Sequence, residues 1–415
     1  MSGLRLAYRT FEPFTHAFEQ QISAFTTDHP DIEVTATAWD PQQMYRQLVA
    51  ERGLASGDVD LMLTLSDWLP ELIATAAIAP LDENLATDPP PDWPGGWSAS
   101  MRGLQVDRHG RTFGIAYHDG PMMLLYRGDL FEDAKERAAF AAAHARPLRA
   151  PTTWHEFLEI AHWFHRPDEG LAGASLAGFP DEHNNVYDFM ILLWSNGGEL
   201  LDDHNLPVFD SPAGRAALRF YVDLVHTERV VPEECLDHDS VASGDYYAAG
   251  RSAMMWNWSG FSAVTELPTS AIRGHNRLGL LPHGDGPGVA QTTLNVYWLI
   301  TMASKTHDPA AAWSLMRHLA TPEMDRITAL SGATATRLST WRDDEIQSQF
   351  PLYRLTETSH QGARTLPPLV CYPQINTAIS EMTRTCMHER RDIDEALSTT
   401  QAAVAGIVRR AGEVR

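Results

Sequence analysis

The N-terminal part of the chain alternates between the hydrophobic spacing of strands and that of helices. Apolar residues alternate over 4–8, as in a strand, and then recur at helical spacing over 14–25. Alternation returns over 32–38, a second helix is predicted over 41–52, and the apolar run at 58–65 is typical of a buried parallel strand. Three consecutive strand–helix units predict a parallel sheet covered by helices.

The rest of the chain is mostly helical, with strands returning at intervals. Capping residues precede three apolar segments of helical period, at 152–164, 211–228 and 307–320. Strand patterns return in three stretches, at 111–131 with a break at 118–121, at 253–258 and at 294–302. The Gly- and Pro-rich stretches 88–96 and 283–288 predict loops. Strands that lie far apart in sequence, with helices between them, predict two α/β lobes linked by chain crossings.

Composition narrows the possible partners. The chain has 415 residues, of which 44% are apolar, enough for two or three domains with large cores. Its formal charge of −22 repels nucleic acid and anionic membranes, so neither is expected as a partner. The sequence contains neither an apolar run long enough to insert into a membrane nor the pattern of a signal peptide, so we expect either a cytosolic protein or a mature form whose export signal has been removed.

The candidate chemistry lies at the ends of the predicted strands, because open parallel sheets bind ligands beyond the carboxyl ends of their strands. The residues expected there are aromatics, carboxylates and amides: Phe11, Glu12, Trp39, Asp40, Asp67, Trp68, Tyr117, His118, Asp119, Trp256, Asn257, Trp258 and Asn295. Indole faces stack on the C–H faces of sugars, and carboxylates and amides bind hydroxyl groups. This composition favours a carbohydrate site.

Each candidate also has a plainer explanation. Asp40 and Asp67 could cap the helices that follow them, His118 and Asp119 could form a turn, and any tryptophan could belong to a core. Other chemistry has less support, since 54 acidic residues make a pair of catalytic carboxylates uninformative and no zinc motif, phosphate loop or nucleophile motif is present. The sequence therefore predicts no catalytic residue, no metal and no cofactor.

Seven ordered segments resemble one family. They include "FEQQISAFTTDHPDIEV" (18–34), "ASGDVDLMLTLSDWLPELIATAAIAPLDENL" (55–85), "GRTFGIAYHDGPMMLLYRGDLFED" (110–133), "APTTWHEFLEIA" (150–161), "WSNGGELLDD" (194–203), "FDSPAGRAALRFYVDLV" (209–225) and "AAGRSAMMWNW" (248–258). Together they resemble the extracellular solute-binding proteins that serve carbohydrate ABC importers, the family that includes maltose-binding protein.

The resemblance implies an α/β fold of the type II periplasmic-binding-protein class, with two lobes, a hinge and a ligand in the interlobe cleft. On this basis we expect an N-terminal lobe from 1–117 and 266–320, and a C-terminal lobe from 118–265 and 321–415. It also implies a monomeric periplasmic or lipoprotein-tethered protein that delivers a sugar or polyol to a transmembrane permease. Family members place an aromatic residue shortly after the "AM" of the segment at 248–258, near the position of Gly260 here. Trp256 and Trp258 lie slightly before that position, and one of them is expected to stack on the sugar.

Two further residues enter the predicted site through the resemblance alone. Tyr187 lies where the second lobe often supplies a stacking residue, and Arg337 lies in a late loop that can reach the ligand. An anionic ligand would require several basic residues, and the candidates offer Arg337 with Arg9 or Arg127, so a neutral ligand is favoured. The alternatives left open are a glycoside hydrolase and a sugar-sensing receptor domain.

Overall fold

The computed structural model describes residues 2–286 and 289–415, so positions 287 and 288 of the predicted loop 283–288 lie outside the described residues. The chain divides into two compact units. Unit 1 comprises Met1–Pro121 and Asn295–Gln361, and unit 2 comprises Met122–Leu294 and Gly362–Arg415. The chain thus passes from one unit to the other three times.

The elements follow in chain order. The strands are β1 Ser2–Arg9, β2 Ile32–Trp39, β3 Leu61–Leu65, β4 Ile115–His118, β5 Met122–Arg127, β6 Ala172–Ser175, β7 Ser252–Trp258, β8 Asn276–Gly279, β9 Thr293–Leu294, β10 Trp298–Met302 and β11 Ala363–Arg364. The α-helices up to the third crossing are α1 Glu12–Asp28, α2 Pro41–Met44, α3 Leu69–Ala74, α4 Asp82–Thr87, α5 Ala99–Gly103, α6 Gly128–Phe131, α7 Ala134–His144, α8 Trp154–Phe164, α9 Asn184–Ser195, α10 Pro212–His226, α11 Ser240–Ala248, α12 Phe261–Val264, α13 Pro309–Leu319, α14 Pro322–Leu330, α15 Leu338–Trp341, α16 Asp344–Gln349 and α17 Tyr353–Gln361. The last two are α18 Tyr372–His388 and α19 Ile393–Ala411. A π-helical segment, Tyr45–Ala50, continues α2, and short 3₁₀ turns lie at Gly53–Ser56, Ser66–Trp68, Pro167–Glu169 and Glu233–Asp237.

Unit 1 contains a five-stranded sheet of order β2-β1-β3-β10-β4. Strands β1, β2 and β3 run parallel, whereas β10 is antiparallel to both of its neighbours, β3 and β4. All five residues of β3 are buried, as its apolar sequence predicts. Because β10 is reversed, its first residue lies at the same edge of the sheet as the carboxyl ends of the other strands.

Unit 2 contains a four-stranded sheet of order β6-β7-β5-β8 and a two-stranded pair of β9 with β11. Helix α8 lies so close to β6 that a Cβ at Gly173 would approach the Ala161 carbonyl oxygen to 2.1 Å, which only glycine avoids. All twelve residues of α9 are buried, and this helix packs against α10 and α18. Helix α9 therefore forms the centre of the helical part of the unit.

The predicted helix starts are confirmed. Thr153, Ser211 and Asp308 each accept a backbone N–H of the following helix, from Glu156, Gly214 and Ala311 respectively. Asp40 likewise caps α2 by accepting the N–H of Gln43. These bonds satisfy donors that have no partner within the helix.

The units differ from the predicted lobes in two segments. Residues 266–294 belong to unit 2, because β8 pairs with β5 and β9 pairs with β11. Residues 321–361 belong to unit 1, where the buried Gln21 amide of α1 donates to the Met324 carbonyl at 2.8 Å. Both differences depend on long-range pairing, which the local hydrophobic pattern does not reveal.

Two features bear on location and covalent structure. Within the described residues, no helix is long and apolar enough to cross a membrane. The three cysteines, Cys235, Cys371 and Cys386, are buried free thiols. The core of each unit is therefore held by apolar packing and hydrogen bonds.

Candidate functional site

A row of aromatic side chains follows the strand-end edge of the unit 1 sheet. The row comprises Tyr45, Trp68, Trp298, Phe11 and His118, and we call it the unit 1 face. Trp68 packs edge-on against Trp298 with ring centroids 5.6 Å apart, and Tyr45 lies 5.4 Å from Trp68 on its other side. Phe11 and His118 lie 6.2 Å apart at the opposite end of the row. The sheet registers explain this grouping, since Trp298 of β10 pairs with both Leu65 and His118.

Arg9 joins the two halves of the row. It is the last residue of β1, and its guanidinium carbon lies 5.4 Å from the ring centroids of both Phe11 and Trp298. Its side chain is half-buried, and its Nε is inaccessible to solvent without a hydrogen-bond partner among the described residues. Burial lowers the pKa of Arg9 to about 10, which still leaves the guanidinium charged at neutral pH. Contact with two aromatic rings gives the cation a favourable electrostatic environment. No acidic side chain among the described residues forms an ion pair with Arg9.

His118 and Asp119 have different surroundings although they are adjacent. Burial lowers the pKa of His118 to about 3, so its imidazole is neutral in the physiological range. Asp119 is 1% exposed, and its Oδ2 lies 2.7 Å from Nε2 of His360. His360 in turn contacts the Ser100 hydroxyl through Nδ1 and stacks on Trp341. His118 therefore faces the row, whereas Asp119 belongs to a buried polar network within unit 1.

Two other predicted residues of unit 1 are buried. Tyr117 stacks on Phe18 of α1 with centroids 4.7 Å apart and donates its hydroxyl to Gln21 at 2.8 Å. It precedes His118 in β4, and adjacent strand residues point to opposite faces of a sheet, so Tyr117 enters the core. Asn295 is 1% exposed and donates its amide to the Ser100 carbonyl at 3.1 Å. Both were expected at the ligand site, and both instead support the interior of unit 1.

The remaining candidates near this edge are more exposed. Trp39 ends β2 and pairs with Arg9 in the sheet register, and it is half-buried. Asp40, which follows it, is exposed and serves as the helix cap described above. Glu12 is exposed in the first turn of α1. These three side chains border the unit 1 face without joining the aromatic row.

Asp67 and Trp68 lie in the 3₁₀ turn after β3. Trp68 is the residue that precedes α3, so Asp67 is not the N-cap of that helix, contrary to the plainer explanation. Asp67 is half-buried in a turn that begins at the carboxyl end of β3. The turn brings the Trp68 indole into the row, as the position at a strand end predicts.

Arg337 is the clearest departure from the predicted site. The structure places its side chain inside unit 1 with 1% exposure. Its guanidinium donates to the carbonyls of Ala320 and Pro91 at 2.6 and 2.9 Å, and to the Asp92 carboxylate at 3.0 Å. The cation also lies over the Trp97 ring at 4.4 Å. With its donors engaged in this way, Arg337 connects the loop after α4 to the segment after α14 and has no surface for a ligand.

The two tryptophans of β7 point to the same side of the unit 2 sheet but differ in exposure. Trp256 is 1% exposed and packs edge-on against Trp154 and Phe157 of α8, with centroids 5.3 and 5.4 Å away. Trp258 is the last residue of the strand and is half-buried. Since α8 covers Trp256, that residue belongs to the core, and only Trp258 offers part of its ring to a ligand.

Trp258 is held by the start of α9. Its Nε1 donates to Oδ1 of the Asn184 side-chain amide at 3.1 Å, and its ring packs edge-on against Tyr187 at 5.8 Å. Tyr187 is itself buried, and the Nδ2 of Asn184 is buried without a partner among the described residues. We call Trp258, Asn184 and Tyr187 the unit 2 face. Asn257 is fully buried next to it and fixes the strand end through the Ser240 carbonyl and the Trp258 N–H.

The chemistry of the two faces is that of a binding surface. In unit 1, Tyr45, Phe11 and His118 are half-buried, whereas Trp68 and Trp298 are buried; in unit 2, Trp258 is half-buried. Half-buried rings next to a cation, as in unit 1, or next to an amide, as in unit 2, are suited to a small ligand with both C–H and polar faces. Among the described residues, no group of three or more His, Cys, Asp or Glu side chains is arranged to hold a metal.

The model of one protein family, described as bacterial extracellular solute-binding protein, matches residues 11–325.

The chain belongs to this family. Two relatives extend the match: a protein of Sinorhizobium fredii described as "Probable amino-acid ABC transporter periplasmic-binding protein" is 24% identical over 69% of this chain and 64% of its own length. A "Probable ABC transporter-binding protein" of Deinococcus radiodurans is 22% identical over 72% of this chain and 69% of its own length. This solute-binding protein thus aligns with less than two thirds of the Sinorhizobium relative's length.

Solved structures with the same fold cover nearly the whole chain. Maltose-bound MalE3 of T. maritima has a TM-score of 0.86 at 21% identity, covering 98% of this chain and 100% of that one. A ribitol complex of an ABC transporter solute-binding protein from Agrobacterium radiobacter has a TM-score of 0.83 at 20% identity, with 98% of each chain covered. The predicted fold class, the two-lobed α/β fold of periplasmic binding proteins, is therefore confirmed.

Sequence reasoning missed three residues of the two faces in this solute-binding protein. Trp298 was overlooked because the candidates were taken from carboxyl ends of strands, whereas Trp298 begins the antiparallel strand β10. Tyr45 lies in the π-helical segment, and Asn184 starts α9, so neither follows a strand. No helix start was predicted at Asn184, and its closeness to Trp258 depends on the fold of unit 2.

Proposed function

We propose that this protein captures a small carbohydrate or polyol and delivers it to the transmembrane permease of an ABC importer. The observation that carries the proposal is the pair of aromatic faces, each at strand ends of its own sheet. Their partly exposed rings can pack on the C–H faces of a sugar, and adjacent polar groups can bind its hydroxyls. The expectation that both faces contact the same ligand stays a prediction.

The comparisons support the same ligand class. Two solved structures with the same fold were obtained with maltose and ribitol, and a protein of Thermotoga lettingae with the same fold was bound to α-D-tagatose. We extend these ligands to the present chain as a proposal, since identities of 20–22% to these proteins fix the fold and leave the binding residues open. The family description supports an extracytoplasmic location and a role without catalysis.

The proposal is tested by a thermal-shift screen against aldoses, disaccharides, polyols, sugar acids and amino acids. A ligand at a hundredfold excess over its Kd raises the free energy of unfolding by about 2.7 kcal/mol, so binders are readily detected. Recovery of the unchanged ligand by mass spectrometry supports a binding protein, whereas cleavage of the ligand would favour the glycoside hydrolase. Binding of amino acids in place of carbohydrates would refute the proposed substrate class.

A matched pair of variants tests the role of the unit 2 face. Trp258→Ala removes the half-buried indole at the strand end, and we expect affinity to fall by about 1–3 kcal/mol, or roughly five- to 150-fold. Trp163→Ala is the control, because Trp163 is also half-buried in unit 2 but packs on Phe140 and His144 and donates to Glu136. Equal affinities of the two variants in calorimetry would exclude Trp258 from the site.

A further inference from the structure

We infer that the ligand carries a carboxylate group and that Arg9 binds it, which makes a sugar acid the preferred substrate class. The inference rests on the proposed function and narrows it. It starts from the arginines that the sequence offered for an anionic ligand. Arg337 is engaged inside unit 1, and Arg127 forms an ion pair with Asp129 at 2.5 Å. Arg9 alone of these three has no carboxylate partner among the described residues.

The position of Arg9 is that of a ligand-binding group. It ends a central strand of the unit 1 sheet at the edge where the aromatic row lies. Its Nε is closed off from solvent, and its guanidinium makes no hydrogen bond to a described residue. The Nε of a half-buried cation that is closed off from water and lacks an acceptor costs folding free energy, so its presence at a strand-end edge needs an explanation beyond stability. An acceptor supplied by the ligand provides that explanation.

The charges around Arg9 favour a monoanion. The nearby imidazole of His118 is neutral because burial lowers its pKa to about 3, so Arg9 supplies the positive charge of the unit 1 face. One guanidinium balances one negative charge, and its planar donors match the two oxygens of a carboxylate. A phosphate monoester would bring nearly two charges and leave one of them unbalanced.

The aromatic rings beside Arg9 would bind the part of the ligand that carries no charge. The ring centroids of Phe11 and Trp298 each lie 5.4 Å from the guanidinium carbon of Arg9. A carboxylate bound to Arg9 therefore places the rest of the ligand beside these rings. A hydroxylated carbon chain or ring suits such a surface, as it presents C–H groups for packing and hydroxyls for hydrogen bonds. The formal charge of −22 opposes anions at long range, but salt screens it beyond about 8 Å, whereas a direct contact with Arg9 is screened much less.

The test compares ligands that differ only in the acid group. Calorimetry is run with glucose, gluconate and glucuronate, with ribitol and ribonate, and with glucose 6-phosphate. Arg9→Gln removes the charge, and Arg9→Lys keeps the charge but loses the planar donors. Arg108→Gln makes the same change in net charge at an exposed loop position and serves as the control.

We expect a sugar acid to bind more tightly than its neutral partner. Arg9→Gln should weaken binding of the acid about ten- to 150-fold while changing that of the neutral partner little, Arg9→Lys should be intermediate, and Arg108→Gln should match the parent protein. Tighter binding of the neutral sugar, equal effects of Arg9→Gln on both ligands, or a preference for the phosphate ester would overturn the inference and leave the proposed function standing. Binding of no sugar, polyol or acid would overturn both.

Discussion

The buried carboxyl group of Asp188 predicts an unusual dependence of stability on pH. Asp188 lies on α9, one residue after Tyr187 of the unit 2 face, and is 1% exposed. Its Oδ2 accepts the Tyr221 hydroxyl of α10 at 3.2 Å. Burial raises the pKa of Asp188 to about 8, because its effect exceeds the lowering by hydrogen bonds from Trp256 and Tyr221, and the nearby Asp181 adds a smaller upward contribution. The folded protein therefore holds this group as the neutral acid at pH 7.

The sign follows from the two pKa values. In the unfolded chain the carboxyl has a pKa of about 3.9, so between about pH 4 and about pH 8 the folded state holds a proton that the unfolded state has released. The contribution of Asp188 to stability is full below the unfolded pKa and is lost as the pH rises through the folded pKa. The loss approaches about 1.4 kcal/mol per pH unit, which amounts to about 4 kcal/mol between about pH 5 and about pH 8.

Asp188→Asn tests this reasoning, because the amide keeps the size of the side chain and cannot ionise. Urea unfolding of the parent and variant at several pH values gives the difference in the free energy of unfolding, in which the titration of all other groups cancels. We expect the difference to move in favour of the variant as the pH rises. Asp203→Asn, in an exposed loop of the same unit, should show no such trend. A difference that stays constant over this range would refute the buried neutral acid.

Three further predictions concern residues assigned to the interior. Trp256→Ala should lower the free energy of unfolding by about 3–5 kcal/mol in urea titrations, since it leaves a cavity beneath α8; a loss below about 1 kcal/mol would contradict its core position. Arg337→Met should lower the free energy of unfolding by a similar amount, because the Ala320 and Pro91 carbonyls lose their hydrogen-bond donors. Calorimetry on the folded variant should show an unchanged ligand affinity. The three cysteines should react with a chromogenic disulfide reagent only on unfolding, as burial raises their pKa values to about 11 or 12; rapid labelling of the native protein would refute this.

The parts of the fold that local pattern determines were predictable. Strand β3 is buried at every position and lies in the middle of its sheet, and the helix starts at Thr153, Ser211 and Asp308 carry the expected caps. The reversed direction of β10 was not predictable, because a strand's sequence carries no signal for the direction of its neighbours. Because of that reversal, Trp298 at the start of β10 lies at the strand-end edge, whereas Asn295, which directly follows β9, is buried.

The membership of the two units was harder to predict for a related reason. Each unit is assembled from two separate stretches of chain, and the residues that decide the assembly are far apart in sequence. The Gln21 amide, for example, bonds the Met324 carbonyl across 303 positions. The spacing of hydrophobic residues indicates which face of a helix or strand is buried, but it does not indicate which other helix or strand covers that face.

Arg9 and Arg337 show where reading of the site from sequence reaches its limit. Both are arginines beside aromatic rings, and only Arg337 was predicted to reach the ligand, because of its place in a late loop. Its guanidinium is nevertheless used inside unit 1, by carbonyl groups 17 and 246 positions away. Arg9 lies beside the rings of Phe11 and Trp298, and its Nε has no acceptor among the described residues. Whether a buried cation stabilises the fold or awaits a ligand thus depends on acceptors contributed by distant segments, and only the folded chain brings those segments to it.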